Sequence, residues 1–385
     1  MKRRALLTVP FAGLLLVAGC GSDSGSSSDT TEGGGGGAAA GSLKGVCPDT
    51  VVFQTDWNPE SEHGQLYEMV GEGYTVDTSK LRVTGPLVAG GVDTGVKIEV
   101  RSGGPAIGFQ TVTSQLYQDP AILLGYVSTD EAIQNSGEFP TKAVVAPFNI
   151  NPQIIMWDPA TYPDVKAIKD LKATGAKVRY FETGAYMQYL ISSGQLDKAQ
   201  TDGSYDGTPA NFVAAGGKDA QQGFASAEPY FYEEVLTEWG KPIAYQLIHD
   251  AGWTAYAESL AATTDNYGKY GDCFKKLVPV IQQSQVDYVK DQARADAVIL
   301  DLVKQYNNGW QYDEGQAKAA VESMLSDKLV ANSPDGTLGS FDLDRLNEFL
   351  PKALAVYEAA GAKLKADVKV EDLVTNEYID PNIKL

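Results

Sequence analysis

The sequence predicts a two-lobed α/β protein, and three observations predict it. About 340 residues follow a low-complexity leader that ends near Lys44, more than one typical domain and enough for two cores. Short apolar runs bounded by turn residues alternate with amphipathic stretches, as βα units do. The chain carries no internal repeat of fixed period, which sets solenoid architectures aside.

In chain order, the leader comes first. Met1-Lys2-Arg3-Arg4 is a basic start, and Ala5 to Ala18 is nearly all apolar. Such a pairing reads as an export signal over residues 1–19, because about fourteen apolar residues are too few for a comfortable membrane span. Leu16-Val17-Ala18-Gly19-Cys20 places small residues directly before a cysteine and resembles a bacterial lipobox, so lipid on Cys20 is expected to anchor the chain to the outer face of the cytoplasmic membrane. Residues 20–44 are rich in Gly, Ser and Ala, with five consecutive glycines from Gly33 to Gly37. This composition buries too little to order itself, and it predicts a tether with a reach on the order of 25 Å.

Charge and cysteines exclude several functions. The formal net charge is −19, and loss of Lys2, Arg3 and Arg4 with the signal takes it to −22. A chain so acidic is repelled by nucleic acid and by anionic lipid surfaces. With Cys20 lipidated, Cys47 and Cys273 remain as a pair in an oxidising compartment, where a disulfide is expected. Two histidines and no CxxC spacing give zinc chemistry little to work with; no metal and no cofactor are expected.

The body's strands are predicted at Thr50–Thr55, Val96–Val100, Ala121–Val127, Lys142–Phe148, Lys177–Phe181 and Ile243–Ile248. Val286, Val289, Ala293, Ala297 and Leu300 recur at helical spacing and predict one helix over Ser284–Tyr306. A second helix is predicted from an Asp342 cap through Leu343, Leu346, Leu350 and Leu354 to Gly361, with Pro351 a candidate bend. Between Thr75 and Val96, Gly90-Gly91 and Asp93 predict a hairpin.

The most informative stretch follows the first strand: Asp56-Trp57-Asn58-Pro59-Glu60-Ser61-Glu62-His63-Gly64-Gln65-Leu66-Tyr67. It resembles the DW.PN..H.GLY segment of solute-binding proteins of the NMT1/THI-like family, which serve thiamine-pyrimidine precursors, nitrate, sulfonates and taurine. Trp57, His63 and Tyr67 at a strand-to-helix turn offer a stacking face and polar handles for a flat ring. For each, the plainer alternative is a place in the core or at the surface. Glu60 and Glu62 stand where relatives often carry neutral residues.

The resemblance continues through Ser102-Gly103-Gly104-Pro105 and through Ser128-Thr129-Asp130-Glu131, where Ser128 and Thr129 are either ligand contacts or helix caps. Phe148-Asn149-Ile150-Asn151-Pro152 resembles the family's first crossing between lobes and puts Asn149 at the cleft. Thr183-Gly184-Ala185-Tyr186 is similar to its anion-holding turn. Ala225-Ser226-Ala227-Glu228-Pro229-Tyr230 resembles the return crossing, with Glu228 accepting hydrogen bonds and Tyr230 stacking, or with Pro229 acting only as a stiff hinge. The resemblance implies a type II periplasmic-binding-protein fold, with lobe one at 45–145 and 232–385, lobe two at 146–231, and a ligand cleft beyond the carboxyl ends of the strands.

It further implies a monomeric receptor that delivers a small-molecule ligand to an ABC permease and its ATPase, by closure of two lobes and without bond chemistry. A small aromatic heterocycle, thiamine-pyrimidine-like or flavin-like, is the expected ligand. The alternatives are a small anion (sulfonate, nitrate or carboxylate) and a ligand-binding lipoprotein sensor with no transport role. An enzyme is not expected, since the chain has neither the cysteine-rich motif of the pyrimidine-synthesising relatives nor a GxSxG elbow.

Overall fold

The computed structural model describes residues 41–385; the expected signal, Cys20 and most of the tether lie outside the described residues. Leu43 is wholly buried and its N–H donates to Thr94 O at 2.9 Å, so the folded body begins ahead of residue 45, where the sequence reading starts it. Among the described residues no helix is long and apolar enough to cross a membrane.

Among the described residues, twelve strands build two sheets. The first contains β1 (Thr50–Gln54), β2 (Thr75–Asp77), β3 (Arg82–Ala89), β4 (Val92–Arg101), β5 (Ile122–Val127), β6 (Thr141–Val145) and β12 (Ser259–Thr263). Its order is β2-β3-β4-β1-β5-β12-β6, with β1 parallel to β4 and β5, and β12 antiparallel to β5 and β6. Every residue of β5 is buried, as a strand covered on both faces requires, and Ile122-Leu123-Leu124-Gly125-Tyr126-Val127 is accordingly a continuous apolar run. The hairpin between Thr75 and Val96 is present as β3 and β4. Gly90 and Gly91, at φ 55° and 79°, form a turn whose two left-handed positions glycine fills without strain.

The second sheet contains β7 (Gln153–Trp157), β8 (Val178–Arg179), β9 (Thr201–Asp202), β10 (Ala220–Phe224) and β11 (Ala244–Leu247), in the order β11-β7-β10-β8-β9. β7 runs antiparallel to β10 and β11. β11, within the stretch expected for lobe one, hydrogen-bonds to β7 of the second sheet. The chain therefore returns to the first sheet through Ile248–Glu258 and not through residues 225–230. Glu228-Pro229-Tyr230 is a short helix with the proline in its first turn, where the missing N–H costs nothing.

The helix expected over Ser284–Tyr306 is two helices, Gly271–Lys290 and Ala293–Tyr306, interrupted at Asp291, whose φ of −149° and ψ of 90° are extended. The apolar stripe continues across the break, so periodicity alone does not reveal it. Leu343–Ala359 is helical with Asp342 accepting from Arg345 N at 3.1 Å, and Pro351 lies inside it without ending it. Cys47 and Cys273 are bonded, tying the segment before β1 to the first turn of Gly271–Lys290. Two buried apolar clusters fill the interior, and each draws side chains from both sheets.

Candidate functional site

The topology sends several loops to one place. β1, β4 and β5 are mutually parallel or share β1 as neighbour, so the segments after them, bearing Asp56, Gly104 and Ser128, leave the same edge of the first sheet. β12 is antiparallel, with Ser259 opposite Val127, and so the residue before it, Glu258, reaches that same edge. From the second sheet come the segments after β8, β9 and β10. Together they enclose a cavity of about 1260 Å³ lined by residues of both sheets' loops, including Trp57, Ser128, Thr183, Gly184, Tyr186 and Glu228.

Those six are sequence-predicted residues that the fold brings together. Ser128 precedes the helix Thr129–Gln134 yet makes no capping bond, which leaves its hydroxyl to the cavity. Tyr186 OH donates to Gln222 Oε1 at 2.7 Å, and Phe181 N donates to the same oxygen at 2.8 Å, fixing the turn that carries Thr183 and Gly184. Glu228 Oε2 accepts from Phe224 N at 2.5 Å, and burial pushes its carboxyl up to about 7. Gly223 makes room for it, since a Cβ there would meet the Glu228 carboxyl carbon at 2.6 Å.

Trp57 is held between two glycines from opposite sides of the cleft. A Cβ on Gly104, at φ 54°, would come to 2.5 Å from the indole, and one on Gly207, at φ 83°, to 2.9 Å. Around the indole stand Phe109 at 6.0 Å, Trp310 at 6.1 Å and Phe181 at 6.2 Å between ring centroids, all tilted or edge-on, as aromatic quadrupoles prefer. Tyr205 extends this wall, 4.8 Å from Phe181.

The other predicted residues sit outside the cavity lining. His63 is wholly buried, stacks on Tyr126 at 5.1 Å and bonds Asp56 Oδ1 through Nε2 at 2.9 Å, so it props Asp56 from behind. Tyr67 is a core residue, because the short helix Gly64–Glu68 turns it into the main apolar cluster. Ser102 is buried beside Leu81. Thr129 spends its hydroxyl accepting from Tyr256 N at 2.9 Å. Asn149 lies in the first crossing with its N–H on Leu329 O. Tyr230 faces a separate pocket of about 440 Å³ with Tyr245 and Ser323.

The candidate loops carry carboxylates and few Lys or Arg in the sequence, and the fold sharpens that imbalance. Every charged side chain lining the cavity is a carboxylate; no Lys, Arg or His lines it among the described residues. Glu60, Glu62 and Glu258 are buried, and each carboxyl is raised, first by loss of water and then, for Glu60 and Glu258, by its acidic neighbours. Glu131 is raised to about 7 by burial, although Thr113 donates to it. Glu62 Oε1 accepts from Ser226 Oγ, while Glu62 Oε2, Glu258 Oε2 and Gln316 Oε1 are buried without a partner. Glu258 holds φ at 50°, a left-handed backbone that L side chains rarely adopt and that clusters at functional sites. The donor atoms of Asp56, His63 and Glu258 fall within 4.8 Å of one another, a grouping also compatible with a metal ion and not evident in the sequence.

No protein-family model matches the chain, and no curated protein matches its sequence. Solved structures do match its fold. A protein of Bordetella bronchiseptica RB50 aligns with a TM-score of 0.52 at 16% identity over 86% of this chain and 96% of its own. The alkanesulfonate-binding protein of Xanthomonas axonopodis pv. citri bound to MOPS aligns at 0.50 with 14% identity, over 85% and 98%. The periplasmic aliphatic sulphonate binding protein of Escherichia coli aligns at 0.50 with 16% identity, over 88% and 99%. With its two mixed sheets and the antiparallel β12 set between β5 and β6, the chain has the type II fold of periplasmic solute-binding proteins.

Proposed function

We propose that the chain is the extracytoplasmic, lipid-anchored solute-binding component of an ABC importer, and that it captures a small nitrogen-bearing aromatic heterocycle between its two sheets. One observation carries the reading: Trp57 from the first sheet and Glu228 from the second line a single cavity. An indole wall stacks on a ring, and a carboxyl accepts from ring N–H or amino groups. The neighbours are binding proteins by name, and binding alone, with lobe closure as the output, needs no catalytic group.

Two of those neighbours are named for sulfonates. A small anion is the weaker reading for this chain, because a sulfonate among unpaired carboxylates, with no Lys or Arg in the lining, meets repulsion where it needs a counter-charge.

The test is a thermal-shift screen of the body from Ala38 onward against pyrimidines, flavins, purines, sulfonates and amino acids. A ligand at a hundred times its dissociation constant stabilises by about 2.7 kcal/mol. Trp57→Ala is expected to abolish the shift of any hit, and a variant that binds with full affinity removes Trp57 from the site. Uptake of the hit by cells with and without the chain separates importer from sensor.

A further inference from the structure

We infer that the captured solute is an N–H-bearing cation, a protonated amine or amidinium, seated on the orphaned carboxylate oxygens of Glu62 and Glu258 in the aromatic-walled cavity. The inference rests on the solute-receptor reading above and narrows its ligand to one charge class.

Burying a carboxylate oxygen without a donor is costly, and the protein does it twice in one cavity. The chain has cations and uses them where acid is structural: Asp158 takes Lys241 at 2.9 Å, Asp219 takes Arg179 at 2.8 Å and Glu99 takes Arg101 at 2.7 Å. Around Glu62 and Glu258, among the described residues, it supplies no Lys or Arg. The groups facing them are Asp56, Glu60 and Glu228, the phenols of Tyr126, Tyr288 and Tyr312, and His63, which is engaged by Asp56.

A cation that donates hydrogen bonds satisfies both orphaned oxygens and relieves the mutual repulsion. Trp57, Phe181 and Trp310 line the same cavity, and aromatic rings attract positive charge. A neutral ring satisfies the lone pairs but leaves the repulsion; an anion does neither. A bare metal ion would use little of a cavity of about 1260 Å³ and none of its aromatic wall.

Isothermal titration of the purified full-length chain with benzamidinium, benzamide and benzoate holds the ring constant and varies the charge. A charged hydrogen bond contributes about 1.5–3 kcal/mol, so benzamidinium is expected to bind roughly tenfold or more tightly than benzamide, with no heat from benzoate. Glu62→Gln and Glu258→Gln should each erase that preference, bringing benzamidinium down to the affinity of benzamide or below it. Circular dichroism checks that the variants fold, and if one does not, the ranking of the three probes on the unaltered chain decides alone.

Equal or tighter binding of benzamide or benzoate overturns the inference, as does failure of all three at millimolar concentration. Zinc ion is the fourth probe: binding tighter than benzamidinium that Asp56→Asn abolishes makes the site a metal site and overturns it too. A neutral or anionic hit in the broad screen sinks the charge assignment and leaves the receptor reading standing, whereas a screen with no hit sinks the receptor reading itself.

Discussion

Two groups of carboxylates in this molecule face opposite electrostatic situations. At the edge of the second sheet, Arg179 lies between Asp219 at 2.8 Å and Asp202 at 3.0 Å, with Lys177 3.3 Å from Asp202. There the Asp202 carboxyl is held below its usual range, first by the Ser204 hydroxyl and also by its cationic neighbours. In the cavity, Glu60, Glu62, Glu228 and Glu258 are all raised, with desolvation the leading cause. At that edge the acid is matched with base inside the chain. Acid in the cavity is left for something else to match.

The contrast can be broken at either end. The largest effect is expected on the paired side, where Arg179→Met strands two carboxylates and should cost about 2–3 kcal/mol in urea unfolding. If stability is unchanged, the pairing is decorative and the comparison fails. On the unpaired side the sign reverses: Glu258→Gln should stabilise the ligand-free chain by about 1–2 kcal/mol at pH 8, because burial and its acidic neighbours disfavour an ionised carboxyl there that the unfolded chain ionises freely. A destabilised Glu258→Gln would mean that the carboxylate already has an internal partner.

The pH dependence sharpens the same point. Glu131 and Glu228 ionise near 7 in the folded chain against an ordinary 4.5, so folding takes up protons between those values. Their contribution is fully present below about 4.5 and is lost as pH rises through about 7. One pKa unit is worth about 1.4 kcal/mol, and the ligand-free Tm should therefore be several degrees higher at pH 5 than at pH 8. Glu228→Gln should shrink that gap, and a Tm that rises from pH 5 to pH 8 contradicts it. The smallest effect is expected from Gly207→Ala, whose Cβ presses on the Trp57 indole from the far side of the cleft; it should weaken a hit severalfold and blue-shift or quench tryptophan emission.

What the sequence discloses follows from what is local. β1 and β5 announce themselves because a buried strand is an apolar run between turn residues. The β3–β4 hairpin announces itself through Gly90-Gly91, whose φ values only glycine adopts freely. Trp57 is legible because it follows a strand at the edge where α/β crevices form. Glu258 has no such mark: nothing in Ala257-Glu258-Ser259 differs from a strand entry, and it reaches the cavity because β12 runs against its neighbours. Glu60 and Glu62 are visible as oddities, but their meaning requires knowing that no lysine or arginine folds in beside them. His63 and Tyr67 mislead for the converse reason, since a helix as short as Gly64–Glu68 gives no periodicity from which to tell its inner face from its outer.

The bond between Cys47 and Cys273 joins residues 226 apart and lies at the entry to the folded body, ahead of β1. Tension arriving along the chain at Gly41 thus passes through a covalent link into the long helix Gly271–Lys290, bypassing the ladder that β1 forms with β4 and β5. A protein tugged from that end would load this helix together with β4, which Leu43 grips at Thr94 O.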